Sequence, residues 1–434
     1  MTKEIILSDA TKLAELIRTK EVSPVEVVQA HLDRIAAVNP KINAIVTLAD
    51  GALKAAKAAE AAVLAGDEIG PLHGVPFTVK DSIDTADVAT QRGSPIFKGR
   101  VPDVDATSVA RMKKAGGILL AKTNLPEFSY WIESDNLLSG RTNNPWDVTR
   151  TPGGSSGGES AAIAAGMSPI GLGTDLAISV RGPAAQTGIT SMKATHGRVP
   201  MTGIWPRAPR RFWHVGPMAR SVRDIALAFS QLLGPDGQDA FATSTVQFDG
   251  GIGRQPYCQL RVGWMVGPGL GPVHPEVAAT VKAAAEALKD IGVFVEQVSI
   301  PALERDFPLD VFNRLHVMEM KPAFAEATAG HEDEMYKIGQ DHALAARHAD
   351  EGLYRRRAGG RAAARRLCRL LLALRRADYP RAADPGPQAW RRGVHHRRPD
   401  RGRHLPPGRD RAAQRHRLAR PVDAVRCEQG RAAD

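Results

Sequence analysis

Between Thr151 and Glu159 the chain runs Thr-Pro-Gly-Gly-Ser-Ser-Gly-Gly-Glu, and a second tight stretch, Gly173-Thr-Asp-Leu-Ala-Ile-Ser-Val-Arg-Gly-Pro-Ala184, follows it. The Ala-rich segment between them is short enough for one helix. A flexible linker has a similar composition, but a linker between Pro152 and a helix inside a compact region is out of place. Both stretches are better read as tight turns that fix serines in space, Ser155 and Ser179 standing 24 residues apart. Upstream, Gly74-Val-Pro-Phe-Thr-Val-Lys80-Asp81 puts a lysine at the end of an apolar, strand-like run, 75 residues before Ser155. Such a set can build a hydrolase in which lysine is the base and serine the nucleophile. No G-x-S-x-G surrounds Ser179, which argues against a nucleophile elbow there.

The 434 residues suffice for one large α/β domain or two ordinary ones, and 43% hydrophobic with 24% charged residues is a soluble, globular composition. The start, Met-Thr-Lys-Glu-Ile-Ile-Leu, is too quickly polar for a signal peptide. No apolar run approaches the roughly 20 residues that span a bilayer. Cys258, Cys368 and Cys427 are scattered and not at metal spacing, so a cytoplasmic location is expected.

The net charge of +11 is unevenly placed. Residues 355–434 hold 23 Arg and no Lys against 7 Asp and Glu, a local charge of +16, which leaves −5 for the rest. Ser, Thr, Asn, Ile, Lys, Met and Phe are all absent from that stretch. A disordered basic tail is one reading, and nucleic-acid binding through clusters such as Arg355-Arg-Arg357 and Arg397-Arg398 is another, less favoured one. The favoured reading is a high-GC coding region translated out of frame.

Helical spacing and caps predict one helix from Ser8, a second opened by Ser23-Pro24, an Ala-rich helix from Ala52 to Ala65, and others over 105–115, 220–233 and 275–291. Strands are expected over 42–47, up to Lys80, and over 118–121, 260–264 and 293–298. Strands alternating with helices argue for a layered α/β domain.

These motifs, with Arg141-Thr-Asn-Asn-Pro-Trp146, Thr195-His-Gly-Arg-Val-Pro200 and His214-Val-Gly-Pro-Met-Ala-Arg220, resemble the amidase signature family from about Ser8 to Asp239. The resemblance implies that family's α/β fold, a mixed sheet covered by helices on both faces, over residues 1–350, with a catalytic core near 70–240. Residues 351–434 are then an aberrant tail in place of the family's C-terminal part. It further implies a triad of Lys80, Ser155 and Ser179, with Ser155 after a cis peptide bond and relaying the proton between the other two. Backbone N–H groups of Leu176, Ala177, Ile178 and Ser179 would form the oxyanion hole; Gly154, Ser156, Asp175 and Arg181 would support the loops.

As base, Lys80 must be neutral, and half-neutrality at pH 7 costs about 4.6 kcal/mol from the ordinary lysine value; burial is the available source. Where the family usually has Gly-Gly-Ser, this chain has Ala177-Ile178-Ser179, and a β-branched residue disfavours φ > 0. Ile178 is therefore expected either to narrow the acyl pocket or to impair a donor. Tyr130, Trp131, Trp205 and Trp213 are candidates to line an apolar pocket. The expected activity is hydrolysis of a small linear amide with no metal, cofactor or membrane partner, a homo-oligomer being left open. The alternatives are the amidase subunit of a tRNA-dependent amidotransferase, and a catalytically impaired relative with a binding role.

Overall fold

A computed structural model describes residues 2–205, 212–243, 256–267 and 272–300, together with 312, 315, 319–320 and 323–336. The expectations for residues 351–434 lie outside the described residues. Two compact units are present, Met1–Arg254 with Phe307–Arg356, and Gln255–Asp306 with Arg357–Asp434.

In the first unit a short helix α1 (Thr2–Leu7) precedes α2 (Ala10–Arg18). Ser8 does not cap α2: its hydroxyl donates to Glu4 O at 2.8 Å and closes α1. Asp9 is the first residue free to leave helical geometry, and its carboxylate accepts from Lys12 N. Ser23 and Glu26 form a capping box at the start of α3 (Pro24–Ile42), which passes Pro40 and stops at left-handed Asn43. Next come β1 (Ile45–Leu48), α4 (Ala52–Ala65), β2 (Pro76–Lys80), α5 (Thr107–Lys114) and β3 (Ile118–Thr123). They are followed by α6 (Gly157–Ala164), β4 (Ile170–Asp175), α7 (Arg181–Thr187), β5 (Thr190–Ser191), β6 (His214–Ala219) and α8 (Val222–Leu232).

The strands form one six-stranded mixed sheet in the order β1-β3-β2-β4-β6-β5. Its centre, β3-β2-β4, is parallel; β1 and β6 run antiparallel to their inner neighbours. Helices pack on it through two apolar clusters. One joins Leu13, Ile17, Val27, Met112 and Phe229 to Phe77 and Leu172; the other joins Val28, Ile35, Ala161 and Met167 to Leu120. Each large side chain so buried contributes about 1.5–3 kcal/mol. Neighbouring Val27 and Val28 enter different clusters, so α3 is held from two directions.

Strands β4 and β6 have no counterpart in the sequence expectations. Their glycines answer to neighbours: a Cβ at Gly216 would stand 2.2 Å from Met192 O, and one at Gly171 only 1.8 Å from Glu159 Oε1. Close approach requires glycine there, and glycine carries little of the propensity that marks a strand.

The second unit contains β7 (Arg261–Trp264), α9 (Pro275–Asp290) and β8 (Phe294–Gln297), a parallel pair joined by a helix with Arg261 opposite Phe294. No described helix is long and apolar enough to cross a membrane.

Candidate active site

Lys80, Thr123 and Asp175 are the last residues of three adjacent parallel strands, and α6 begins beside them. This is the carboxyl edge of a parallel sheet, where loops converge and ligands commonly bind. Lys80 ends a strand in which every residue is buried, and is itself wholly buried. Its Nζ lies 2.6 Å from Ser155 Oγ and 3.0 Å from Thr174 Oγ1. Burial drives its pKa well below the ordinary value, while Asp175 and Glu159 pull the other way. Both partners are hydroxyls, able to donate as well as accept, so they satisfy a neutral amine as readily as an ammonium.

The Gly154–Ser155 peptide bond is cis. A Cβ at Gly154 would lie 2.6 Å from both Glu133 N and Ile132 C, so only glycine fits. Ser134 Oγ accepts from Gly157 N at 2.9 Å and donates to Gly153 O at 3.2 Å, clasping the loop from both ends. Ser156 ties this loop to the second one. Its N–H donates to Ser179 O at 3.0 Å, and its hydroxyl bridges Thr174 O at 3.2 Å and Thr174 N at 3.3 Å.

Ser179 is buried and lies between β4 and α7. Among the described residues its hydroxyl has no hydrogen-bond partner; Ser156 makes the link between the two serine loops.

The carbonyls of residues 176–179 are all engaged. Leu176 O accepts from Lys193 Nζ at 2.7 Å, Ala177 O from Arg181, Ile178 O from Gly182 N at 2.7 Å, and Ser179 O from Ser156 N. The N–H groups of the same four residues have no hydrogen-bond partner among the described residues. The turn is thus pinned by its carbonyls, and its four N–H groups are left unpaired by the described residues.

Asp175 organises this turn. It accepts from Val180 N at 3.1 Å and from Arg181 Nε and Nη2, each at 3.0 Å, and Lys193 stands 3.1 Å away. Burial pushes its carboxyl up, but these partners outweigh it and hold it below the usual range. None of residues 176–179 has a positive φ, so Ile178 carries none of the backbone strain its β-branch was expected to bring. Its side chain is 46% exposed and lies against Gly182, where a Cβ would approach Ile178 Cγ1 to 2.8 Å.

The aromatic candidates separate. Trp131 is half-exposed, and its carbonyl backs onto Gly154. Tyr130 and Trp205 join Phe97, Phe128 and Phe324 in a ring cluster, with the Arg92 guanidinium 4.8 Å from the Trp205 centroid. Trp213 is buried in the main core. His214 Nδ1 bonds Phe212 O at 2.7 Å, and burial lowers its pKa to about 4.

Thr174, Lys193 and Glu159 belong to the site but were not singled out from the sequence as acting there. Glu159 was visible as the close of the Gly/Ser run; nothing local marked the other two.

A family model described as amidase matches residues 26–355. The chain belongs to the amidase signature family. It is 40% identical over 301 residues to a glutamyl-tRNA(Gln) amidotransferase subunit of Symbiobacterium thermophilum, covering 68% of this chain and 61% of that one. It is 39% identical over 298 residues to indoleacetamide hydrolase of Bradyrhizobium diazoefficiens, covering 67% and 56%. Among solved structures, a bacterial aryl acylamidase of the amidase signature family superposes with a TM-score of 0.74 at 28% identity, covering 82% of this chain and 76% of that one. The chain thus spans about three fifths of the length of the curated relatives it matches. The family match ends at residue 355, where the arginine-rich composition begins.

Proposed function

We propose that this chain hydrolyses the C–N bond of a small linear carboxylic amide, in the cytoplasm, through an acyl-enzyme on Ser179. The observation that carries the reading is the buried Lys80 amine, 2.6 Å from Ser155 Oγ. Ser179 Oγ attacks the carbonyl carbon while its proton passes to Ser155 Oγ, whose own proton passes to Lys80 Nζ. The oxyanion is received by the N–H groups of residues 176–179. Collapse of the intermediate breaks the C–N bond, and the Lys80 ammonium returns its proton through Ser155 to the leaving nitrogen. Ammonia or an amine departs. Water then attacks the ester by the same relay, and the acid is released with Ser179 restored. Trp131 and Ile178, both exposed beside the serine loops, give the entrance an apolar rim that suits an apolar acyl group.

Turnover of benzamide or an anilide is expected in the wild type and lost in Ser179→Ala and Lys80→Ala; turnover unchanged in both variants removes the assignment.

A second reading is the amidase subunit of a tRNA-dependent amidotransferase, favoured by the 40% identity to a protein of that kind. Co-purification of partner subunits and glutamine-dependent ammonia release support it; a lone chain that hydrolyses simple amides does not. Ile178 motivates the third reading, an impaired relative: turnover that appears only on Ile178→Gly supports it.

A further inference from the structure

Glu159 is a fully buried carboxyl group to which the proton relay assigns no task. It is the third residue of α6, about one helical turn beyond the cis-serine. Its Oε2 accepts from Thr123 Oγ1 at 2.8 Å and its Oε1 from Thr78 Oγ1. The β2–β3 register sets Lys80 opposite Thr123, with Thr78 two residues back, so all three side chains leave the sheet on one face. Gly171 lies opposite Thr78 on β4 and is bare where the carboxyl rests. Two strands, a glycine and a helix N-terminus thus build a seat for one carboxyl on the face from which Lys80 rises.

We propose that Glu159 is a positioning residue for Lys80: its carboxylate is the counter-charge for the ammonium formed when the amine takes up the relayed proton. The role rests on the amide-hydrolase reading, but the charge coupling behind it can be read without turnover.

The charged groups that face Lys80 are Asp175 at the end of β4 and Glu159 on α6. Glu159 feels Lys80, on its own face of the sheet, and Lys122 on β3, whose side chain leaves the opposite face. Asp175 is already paired with Arg181 and Lys193. The hydrogen-bond partners of Glu159 among the described residues are hydroxyls alone, and the first turn of a helix favours its negative charge. Burial pushes Glu159 up to about 7, against the two threonines and the lysines.

The test compares wild type with Glu159→Gln, using protein labelled with 13C at lysine Cε, the Lys80 signal being assigned by its loss in Lys80→Met. Removing an anion lowers the proton affinity of a nearby amine, so the Lys80 midpoint is expected to fall by about one pH unit or more. The acid limb of kcat/KM should move the same way. A Lys80 midpoint unchanged in Glu159→Gln overturns the proposal. Coupling is reciprocal, so a second measurement stands should that variant not fold. In Lys80→Met, the 13C-labelled Glu159 carboxyl should titrate at higher pH than in wild type, and an unchanged midpoint is equally fatal. Absence of amide turnover in the wild type counts against hydrolysis while leaving both titrations readable.

Discussion

Lys80 and Lys122 sit on adjacent strands, and each is wholly buried. Lys122 donates to Ile83 O at 2.6 Å, Thr85 Oγ1 at 3.0 Å and Thr90 Oγ1 at 2.7 Å, with Asp81 Oδ1 3.7 Å away. Three acceptors, one of them a carbonyl, match the three N–H bonds of an ammonium, and a carboxylate stands beside them. Lys80 has two hydroxyls. Burial pulls both amines down: Lys122, restrained by Asp81, to about 8, and Lys80 well below its ordinary value, against the pull of Asp175 and Glu159. Equal burial thus goes with different company in the two places, and the proposed base is the lysine with fewer acceptors. The difference lies in what the nitrogen meets: Lys122 has a carbonyl and a nearby carboxylate besides two hydroxyls, whereas Lys80, among the described residues, bonds two hydroxyls alone.

The strongest challenge to that contrast is to replace each lysine by methionine. Lys80→Met is expected to keep the fold and lose turnover by on the order of 10⁴ or more. Lys122→Met should instead lose about 3–5 kcal/mol of stability, because Asp81 is left buried without its partner, while activity per folded molecule falls far less. Urea unfolding beside single-turnover kinetics separates the two, and equal losses of activity per folded molecule erase the distinction.

A smaller effect lies in the pH dependence of stability. Lys122 titrates at about 8 in the folded chain and near 10.5 when unfolded. Between those values the unfolded chain binds more protons, so stability rises with pH. The contribution of Lys122 is fully present above about 10.5 and is lost as pH falls through about 8. Unfolding free energies at pH 7.5 and 9.5 should show this gain in wild type and less of it in Lys122→Met; equal slopes refute it.

The mildest change, Thr174→Val, removes one of the two hydroxyls at Lys80. A hydrogen bond of this kind contributes about 1 kcal/mol, so kcat/KM should fall roughly five- to tenfold, with little change in melting temperature. A loss as large as that of Lys80→Met would show that Thr174 is part of the relay itself.

Much of this was legible in the sequence, for a physical reason. Lys80, Ser155 and Ser179 each lie in a short motif whose glycines and apolar neighbours are local requirements, and the capping box of Ser23 and Glu26 acts within one helical turn. What escaped depends on pairing between distant segments. Thr174 meets Lys80 across 94 residues, and Lys193 reaches the second serine turn only because β5 pairs with β6 and β6 with β4. Strand β6 was hidden by Pro217 and by Gly216, where Met192 O leaves no room for a Cβ. The Asp81–Lys122 pair was unreadable for the same reason, since register alone brings it together.

Gly182 and Ile178 share one volume: the isoleucine occupies the space that any side chain at 182 would need. For protein engineering the two positions form a single variable. A side chain placed at 182 makes the half-exposed isoleucine move, whereas trimming 178 first leaves 182 room for alanine or serine.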